Sequence, residues 1–111
     1  MKDLFRVELL DEATEFIEKL DQKTRDKVFY NLKKASKKQD SELFKQLDNE
    51  IWYFRTLYNK QKIRLFAFWD KNDTLVIATH GIIKKSYKPA IGEINRAKYL
   101  RTKYLNNKYS K

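Results

Sequence analysis

Apolar and polar positions along this chain follow two periods, one typical of strands and one typical of helices. Phe5, Val7 and Leu9 alternate with charged residues, which predicts a short first strand at the edge of a sheet or next to it. Beyond Asp11, which is expected to cap a helix, apolar residues recur at helical spacing as far as Leu20. An amphipathic first helix is therefore expected to follow the strand.

The next segment predicts a second helix and then a connector. Apolar residues at helical spacing run from about Thr24 to about Lys38. Residues 40–49 are expected to hold at most one turn of helix before the turn-forming pair Asp48 and Asn49. Four lysines near the end of the second helix suit the negative end of the helix dipole, and we interpret them as a solvated face: Lys33, Lys34, Lys37 and Lys38.

The second half of the chain changes to runs rich in aromatic and β-branched residues. Three such runs, at 51–58, 62–69 and 74–83, are separated by polar breaks, which predicts an antiparallel meander. After Pro89, helical spacing predicts a last helix, with 106–111 frayed. The resulting order, βααβββ with an added C-terminal helix, is an α+β fold in which two helices cover one sheet face and the last lies nearby.

Length and composition limit the class of protein. At 111 residues the chain is expected to form a single domain over 1–111. It contains no Cys, which excludes disulfides, cysteine catalysis and thiolate metal sites. Residues 1–10 mix charges with single apolar residues, so we expect no signal peptide or membrane span there and a cytoplasmic location.

Positive charge is concentrated in one half of the chain. Fourteen of the 25 Lys and Arg lie from Ile51 onward, against three acids, so the second half carries +11 and the first half −1. A one-sided cationic field concentrates polyanions, and phosphate backbones are the commonest polyanions that a small protein meets. Nucleic acid is therefore the expected partner.

Cations inside otherwise apolar strands are the candidate functional residues. Arg55 and Arg64 lie in neighbouring predicted strands, and the third strand continues through His80 to Lys84 and Lys85. If the three strands are neighbours, these side chains could converge on one sheet surface. They would then form a phosphate pocket flanked by aromatic rings, because the planar guanidinium binds two phosphate oxygens at once.

Two alternatives remain open for these residues. Arg55 and Arg64 could instead form structural ion pairs with Glu8, Glu50 or another acid. His80 is the only histidine, so any imidazole acid–base chemistry would be its work, but a single histidine in a strand is more often structural.

The motifs that are missing disfavour most enzyme classes. The sequence has no His, Cys, Asp or Glu cluster with metal-ligand spacing, no glycine-rich phosphate loop, and no glycosidase-like carboxylate pair in its basic half. RNA cleavage stays open, because the 2′-hydroxyl of RNA supplies the nucleophile and cations can stabilise the transition state without a cofactor.

Three strand motifs and the start of a helix occur in an order found in one known family. The motifs are Ile51–Arg55, Ile63–Phe66, His80–Lys85, and Pro89 followed by Glu93, Ile94 and Ala97. From Leu43 to Tyr104 the chain resembles the HigB-type branch of the RelE/ParE superfamily, the toxins of bacterial type II toxin–antitoxin pairs. Tyr53 replaces a Glu of that pattern, Ile82 replaces a Phe, and Pro89 stands about one residue earlier than the pattern has it.

The resemblance implies a RelE-like fold and a metal-independent endoribonuclease that needs no cofactor. Such an mRNA interferase cuts mRNA on the ribosome, inhibits translation, and is sequestered by a small helix-turn-helix antitoxin. By this resemblance Arg55 and Arg64 would hold the scissile phosphate. The further catalytic candidates are Lys84, Lys85, His80 and Tyr87, and the RNA-binding candidates are Lys62, Lys88, Arg96 and Arg101.

Two physical conditions restrict the lysine candidates. Adjacent strand residues point to opposite faces, so Lys84 and Lys85 are not expected to face one pocket together. A lysine also needs a basic neighbourhood that lowers its pKa before it can act as a base at neutral pH.

Other functions fit the same pattern. A ParE-like toxin would share the fold and inhibit DNA gyrase. A non-catalytic module would bind RNA or the ribosome in a salt-sensitive manner without cleavage. A degenerate toxin would still bind its antitoxin but cut nothing.

Overall fold

The computed structural model describes residues 4–38, 40–71, 74–85 and 91–109, and these contain five strands and three helices. In chain order the elements are β1 (Arg6–Leu9), α1 (Asp11–Glu18), α2 (Gln22–Lys38), β2 (Phe44–Gln46), β3 (Trp52–Tyr58), β4 (Gln61–Lys71), β5 (Leu75–Lys84) and α3 (Ile91–Tyr109). The predicted α+β class is confirmed. Within these described ranges, no helix is both long and apolar enough to cross a membrane.

The five strands form one sheet in the order β1-β5-β4-β3-β2. The predicted meander is confirmed, because β3, β4 and β5 pair antiparallel in sequence. The first strand is an edge strand, as expected, but it pairs in parallel with β5, so that Arg6 lies opposite Leu75. The sheet is therefore mixed. The connection from β1 to β5, which contains both helices and the three other strands, is long enough for this parallel pairing.

The connector predicted at 40–49 contains a strand rather than a turn of helix. Phe44–Gln46 pairs antiparallel with β3 and forms the other edge of the sheet. Its Phe44 ring is buried and stacks on Phe54 at 4.4 Å between centroids. Burial of one large ring, together with pairing to β3, therefore outweighs the polar character of this segment.

Two helix ends also differ from expectation. Asp11 is the first residue of α1, and Leu10 occupies the N-cap position without a side-chain cap bond. The last helix continues to Tyr109, although fraying was expected from Asn106. It is held there by Tyr104, whose hydroxyl donates to Asp70 of β4 at 3.1 Å, and by Lys108, which pairs with the same carboxylate.

The sheet is covered on both faces by helices. On the first face, α1 and α2 pack over alternate strand residues such as Phe54, Leu65 and Val76. On the second face, α3 packs through Ala97 over the intervening residues, which include Phe66. The two sides of β3, β4 and β5 thus belong to separate apolar clusters, as period-two alternation requires.

A buried hydrogen bond fixes α2 to β3. The amide of Asn31 donates to the Thr56 hydroxyl at 3.1 Å, and both side chains are buried. Because an unpaired amide would be costly in this position, the contact holds α2 in one register against the strand.

Gly81 in β5 is required for space. A Cβ at this position would lie 2.3 Å from Cδ2 and 2.8 Å from Cγ of Phe16 in α1, and the backbone φ of Gly81 is not positive. Gly81→Ala is therefore expected to lower the free energy of unfolding by about 1–3 kcal/mol through overpacking, measured by urea denaturation.

Gly92 provides the matched control for this substitution. No atom lies within 4 Å of a Cβ added there, in the first turn of α3. Gly92→Ala is expected to be neutral or to stabilise by up to about 1 kcal/mol, because alanine loses less backbone entropy in a helix. Equal losses of stability in the two variants would contradict a steric requirement at Gly81.

Candidate functional site

The second face of the sheet is only partly covered by α3. Its residue Glu93 contacts His80, which lies opposite Phe66 in the sheet register. On the same face, the next two cross-strand pairs toward the start of β4 and the end of β5 are Arg64 with Ile82 and Lys62 with Lys84. We call the surface formed by Lys62, Arg64, Lys84, Ile82 and the neighbouring Tyr53 the cationic face.

Arg64 is positioned by an aromatic ring. Its guanidinium carbon lies 4.6 Å from the centroid of Tyr53, a ring that is 7% exposed. The ion pairs found among the described residues do not include Arg64. A cation–π contact thus holds the guanidinium without a carboxylate neutralising it, which leaves its charge available to an anion.

Tyr53 was not among the candidate residues predicted from the sequence, where it stood out only as the replacement for a Glu of the HigB-type pattern. The available signal was its spacing: Tyr53 and Arg55 are two residues apart and so lie on the same side of β3, and Arg55 lies opposite Arg64. That register places Tyr53 diagonally across from Arg64, within reach of a long side chain.

Arg55 lies at the border of the cationic face and is ion-paired. Its Nη1 is 3.6 Å from Oε2 of Glu42, and its side chain is 35% exposed. The backbone N–H of Arg55 donates to the carbonyl of Leu43 at 2.8 Å, at the point where β2 begins. The ion-pair alternative therefore applies to Arg55, with Glu42 as the acid, whereas Arg64 has no acidic partner among the described residues.

The environment of Lys84 lowers its pKa, which is the change that a lysine needs to act as a base. Partial desolvation, and then the positive charges of Arg64 and Lys62, lower the pKa of Lys84 below its ordinary value. Lys85 follows the last residue of β5 and is exposed. Of this adjacent pair, Lys84 is the residue paired with Lys62 within the sheet.

The lowered pKa of Lys84 can be tested directly. In a lysine side-chain NMR titration, Lys84 is expected to lose its proton at lower pH than the exposed lysines. Arg64→Gln removes one of the two positive charges, so the pKa of Lys84 should rise, although desolvation keeps it from reaching the ordinary value. Arg101→Gln, which changes an arginine on α3, should leave the titration unmoved. Titration of Lys84 together with the exposed lysines would contradict this account.

His80 lies beneath α3 and outside the open part of the cationic face. Its side chain is 5% exposed, and its ring stacks on Phe66 at 4.9 Å. Nδ1 is 3.0 Å from the Thr79 hydroxyl and Nε2 is 3.2 Å from a Glu93 oxygen. Burial lowers the pKa of His80 and outweighs the opposing effect of Glu93. His80 thus lies on the same sheet surface as Arg64 and Lys84, as expected, but its ring is buried and the imidazole links β5 to Glu93 of α3.

The α3 cations that were expected to bind RNA are engaged in ion pairs. Arg96 pairs with Glu12 of α1, and Arg101 pairs with Glu50 at 3.4 Å. These contacts attach the outer side of α3 to α1 and to the segment before β3. Tyr87 and Lys88 lie outside the described residues.

The arrangement suits an anionic ligand that carries a transferable proton. The cationic face offers the uncompensated guanidinium of Arg64, a lysine with a lowered pKa, and a second lysine in register with it. Together they can bind phosphate oxygens, stabilise charge that develops on them, and accept a proton. Across the ranges that the structure describes, no three His, Asp or Glu side chains are grouped as metal ligands.

A family comparison adds an independent observation. The model that matches this chain is described as phage derived protein Gp49-like (DUF891), and the match extends over residues 15–102. The matched segment begins within α1, ends within α3, and includes the whole cationic face. A comparison with curated proteins gives no match.

Proposed function

Because the chain belongs to the family of Gp49-like phage-derived proteins, which is RelE-like and toxin-like, we propose that it is the toxin of a type II toxin–antitoxin pair. Its activity is that of the HigB branch: it cleaves mRNA on the ribosome and so inhibits translation. The observation that carries this proposal is Arg64, held on Tyr53 in an open sheet face beside Lys62 and Lys84.

The proposed reaction needs only groups of the RNA and of the cationic face. The 2′-oxygen of the substrate attacks the adjacent phosphorus, the bond to the 5′-oxygen breaks, and a cyclic phosphate remains. Lys84 in its neutral form accepts the 2′-hydroxyl proton, and Arg64 stabilises the charge on the phosphoryl oxygens. The 5′-oxygen takes a proton from water. Arg55 and Lys62 bind the flanking phosphates.

The proposed roles are narrower than the set of candidate residues. His80, Arg96 and Arg101 are assigned to the attachment of α3, because each links α3 to another part of the fold. His80 does so through its hydrogen-bond contact with Glu93, and the two arginines do so through ion pairs. Lys85 is not assigned a chemical step, since it lies beyond the end of β5.

The proposed partners are translating ribosomes with their mRNA and a cognate antitoxin. The toxin-like family implies an antitoxin, and the HigB-type resemblance suggests a small helix-turn-helix protein. Acidic or apolar segments of that protein would complement a basic toxin surface.

Mapping of new mRNA 5′ ends tests the proposal. The protein is induced in bacteria for a few minutes, together with two copies of a reporter mRNA that differ only in the presence of a start codon. We expect growth arrest, and cuts that fall within the translated reporter and spare the untranslated copy.

Each other outcome identifies a different function. Cuts in both reporters would indicate a nuclease that does not need the ribosome. Arrest without cuts, accompanied by altered plasmid supercoiling, would indicate a gyrase inhibitor, and arrest with neither effect would indicate a binding module. Absence of arrest would indicate a toxin that has lost its activity.

A further inference from the structure

The outer surface of α2 carries positive charge that the proposed reaction does not use. The helix contains seven Lys and Arg and one acid, Asp26. The ion pairs among the described residues include none of these cations. By contrast, Arg96, Lys98, Arg101 and Lys108 on α3 are each paired with an acid. Helix α2 therefore presents a dense group of cations that take no part in the ion pairs of the described residues.

Two aromatic rings are exposed on the same helix. Tyr30 is 58% exposed and Phe29 is 44% exposed. Nζ of Lys27 lies 4.8 Å from the Tyr30 centroid. A solvent-facing ring among lysines is the combination by which proteins bind a nucleic-acid strand, with phosphates on the cations and a base on the ring.

A groove joins this helix to the cationic face. It has a volume of about 270 Å³ and lies between α2 and the edge of β3, and its charged lining residues are Lys27, Lys34, Glu42 and Arg55. Arg55 belongs to both surfaces, because it lines the groove and lies opposite Arg64 in the sheet. The Asn31–Thr56 hydrogen bond holds the two walls together.

We propose that this groove binds the substrate RNA strand next to the segment held on the cationic face. This inference rests on the proposed function. A phosphate of the strand passes Arg55 and lies between Lys27 and Lys34, and the following base stacks on Tyr30. In the free protein Glu42, which is 77% exposed, pairs with Arg55, and the incoming phosphate displaces its carboxylate.

Binding of RNA oligonucleotides of two lengths tests the proposal. The probes are single strands of four and twelve nucleotides, fully 2′-O-methylated so that they cannot be cleaved, and binding is followed by fluorescence anisotropy at several salt concentrations. The test variant is Lys27→Ala with Lys34→Ala. The matched control, Lys19→Ala with Lys103→Ala, removes the same charge from α1's end and from α3.

The groove variant is expected to weaken binding of the longer strand and to leave the shorter one unchanged. Its slope of log Kd against log salt should fall by about 0.7, because the one phosphate that lies between the two lysines is no longer neutralised by them. Tyr30→Ala should weaken the longer strand about tenfold, because a base loses its stacking partner. Glu42→Gln should tighten it, since no carboxylate then competes for Arg55.

The contradicting results are distinct. If the groove variant and its control weaken binding equally, RNA binding depends on the net charge of the protein and not on the groove. Weakened binding of poly-glutamate with unchanged RNA binding would assign the groove to an acidic protein segment instead. If the wild type cuts mRNA in cells but the groove variant binds both strands normally, the groove assignment fails and the proposed function stands. If the wild type binds neither strand, the groove assignment fails, and the mapping of mRNA 5′ ends alone decides the proposed function.

Discussion

Arg64→Ala is expected to abolish growth arrest and to lower the rate of mRNA cleavage by about 10²–10³-fold, the usual loss when one donor to a transition-state oxyanion is removed. The physical reason is that Arg64 is the cation of the face that is fixed by a ring and unpaired with a carboxylate among the described residues. Cleavage of a translated reporter by purified protein and ribosomes measures the effect. Thermal unfolding should be nearly unchanged, since Arg64 is only half-buried.

Two further variants separate charge from geometry in this test. Arg64→Lys keeps the charge but loses the planar fork, so a partial loss of rate is expected. Lys103→Ala removes an exposed cation from α3 and should cut at the wild-type rate. Undiminished arrest by Arg64→Ala would contradict the assignment of Arg64 to the reaction.

Phe66→Ala is expected to lower the free energy of unfolding by about 3–5 kcal/mol, the usual cost of removing a buried aromatic ring. Phe66 is 0% exposed, and its ring lies 4.9 Å from the His80 ring and 6.5 Å from the Tyr53 ring. Its removal leaves a cavity beneath α3 at the boundary of the cationic face. Chemical denaturation followed by circular dichroism measures the loss.

Tyr99→Ala is the control for this aromatic substitution. Tyr99 lies on α3 and is 64% exposed, so a change within about 0.5 kcal/mol is expected. A loss of less than about 1 kcal/mol in Phe66→Ala would mean that the second face of the sheet does not form a tightly packed core.

The order of the main elements was accessible from the sequence because periodicity is a local property. The runs at 51–58 and 62–69, which are rich in aromatic and β-branched residues and separated by a polar break, correctly predicted the meander. β2 was not predicted because it has three residues and only Phe44 among them is buried. It is a strand because it pairs with the edge of β3, and a local sequence pattern does not show which segments will pair.

The site was less accessible because its geometry depends on contacts between distant parts of the chain. Arg96 and Arg101 belong to the basic excess of the second half, but their acidic partners lie 84 and 51 residues away along the chain. The apolar stripe of α3 was visible, but not which sheet residues it covers. The burial of His80 against α3 could therefore not be predicted from the sequence.

The order of the strands has a consequence for how the protein is made. β1 has a single neighbour, β5, so Arg6 has no partner until Leu75 has been synthesised. The cationic face likewise needs Lys84 from β5, and the cover over Phe66 needs Ala97 from α3. A chain whose synthesis has not reached β5 therefore lacks the complete five-stranded sheet and the site. If the protein has the proposed function, the nascent toxin cannot cleave the mRNA of the ribosome that is producing it until β5 has emerged.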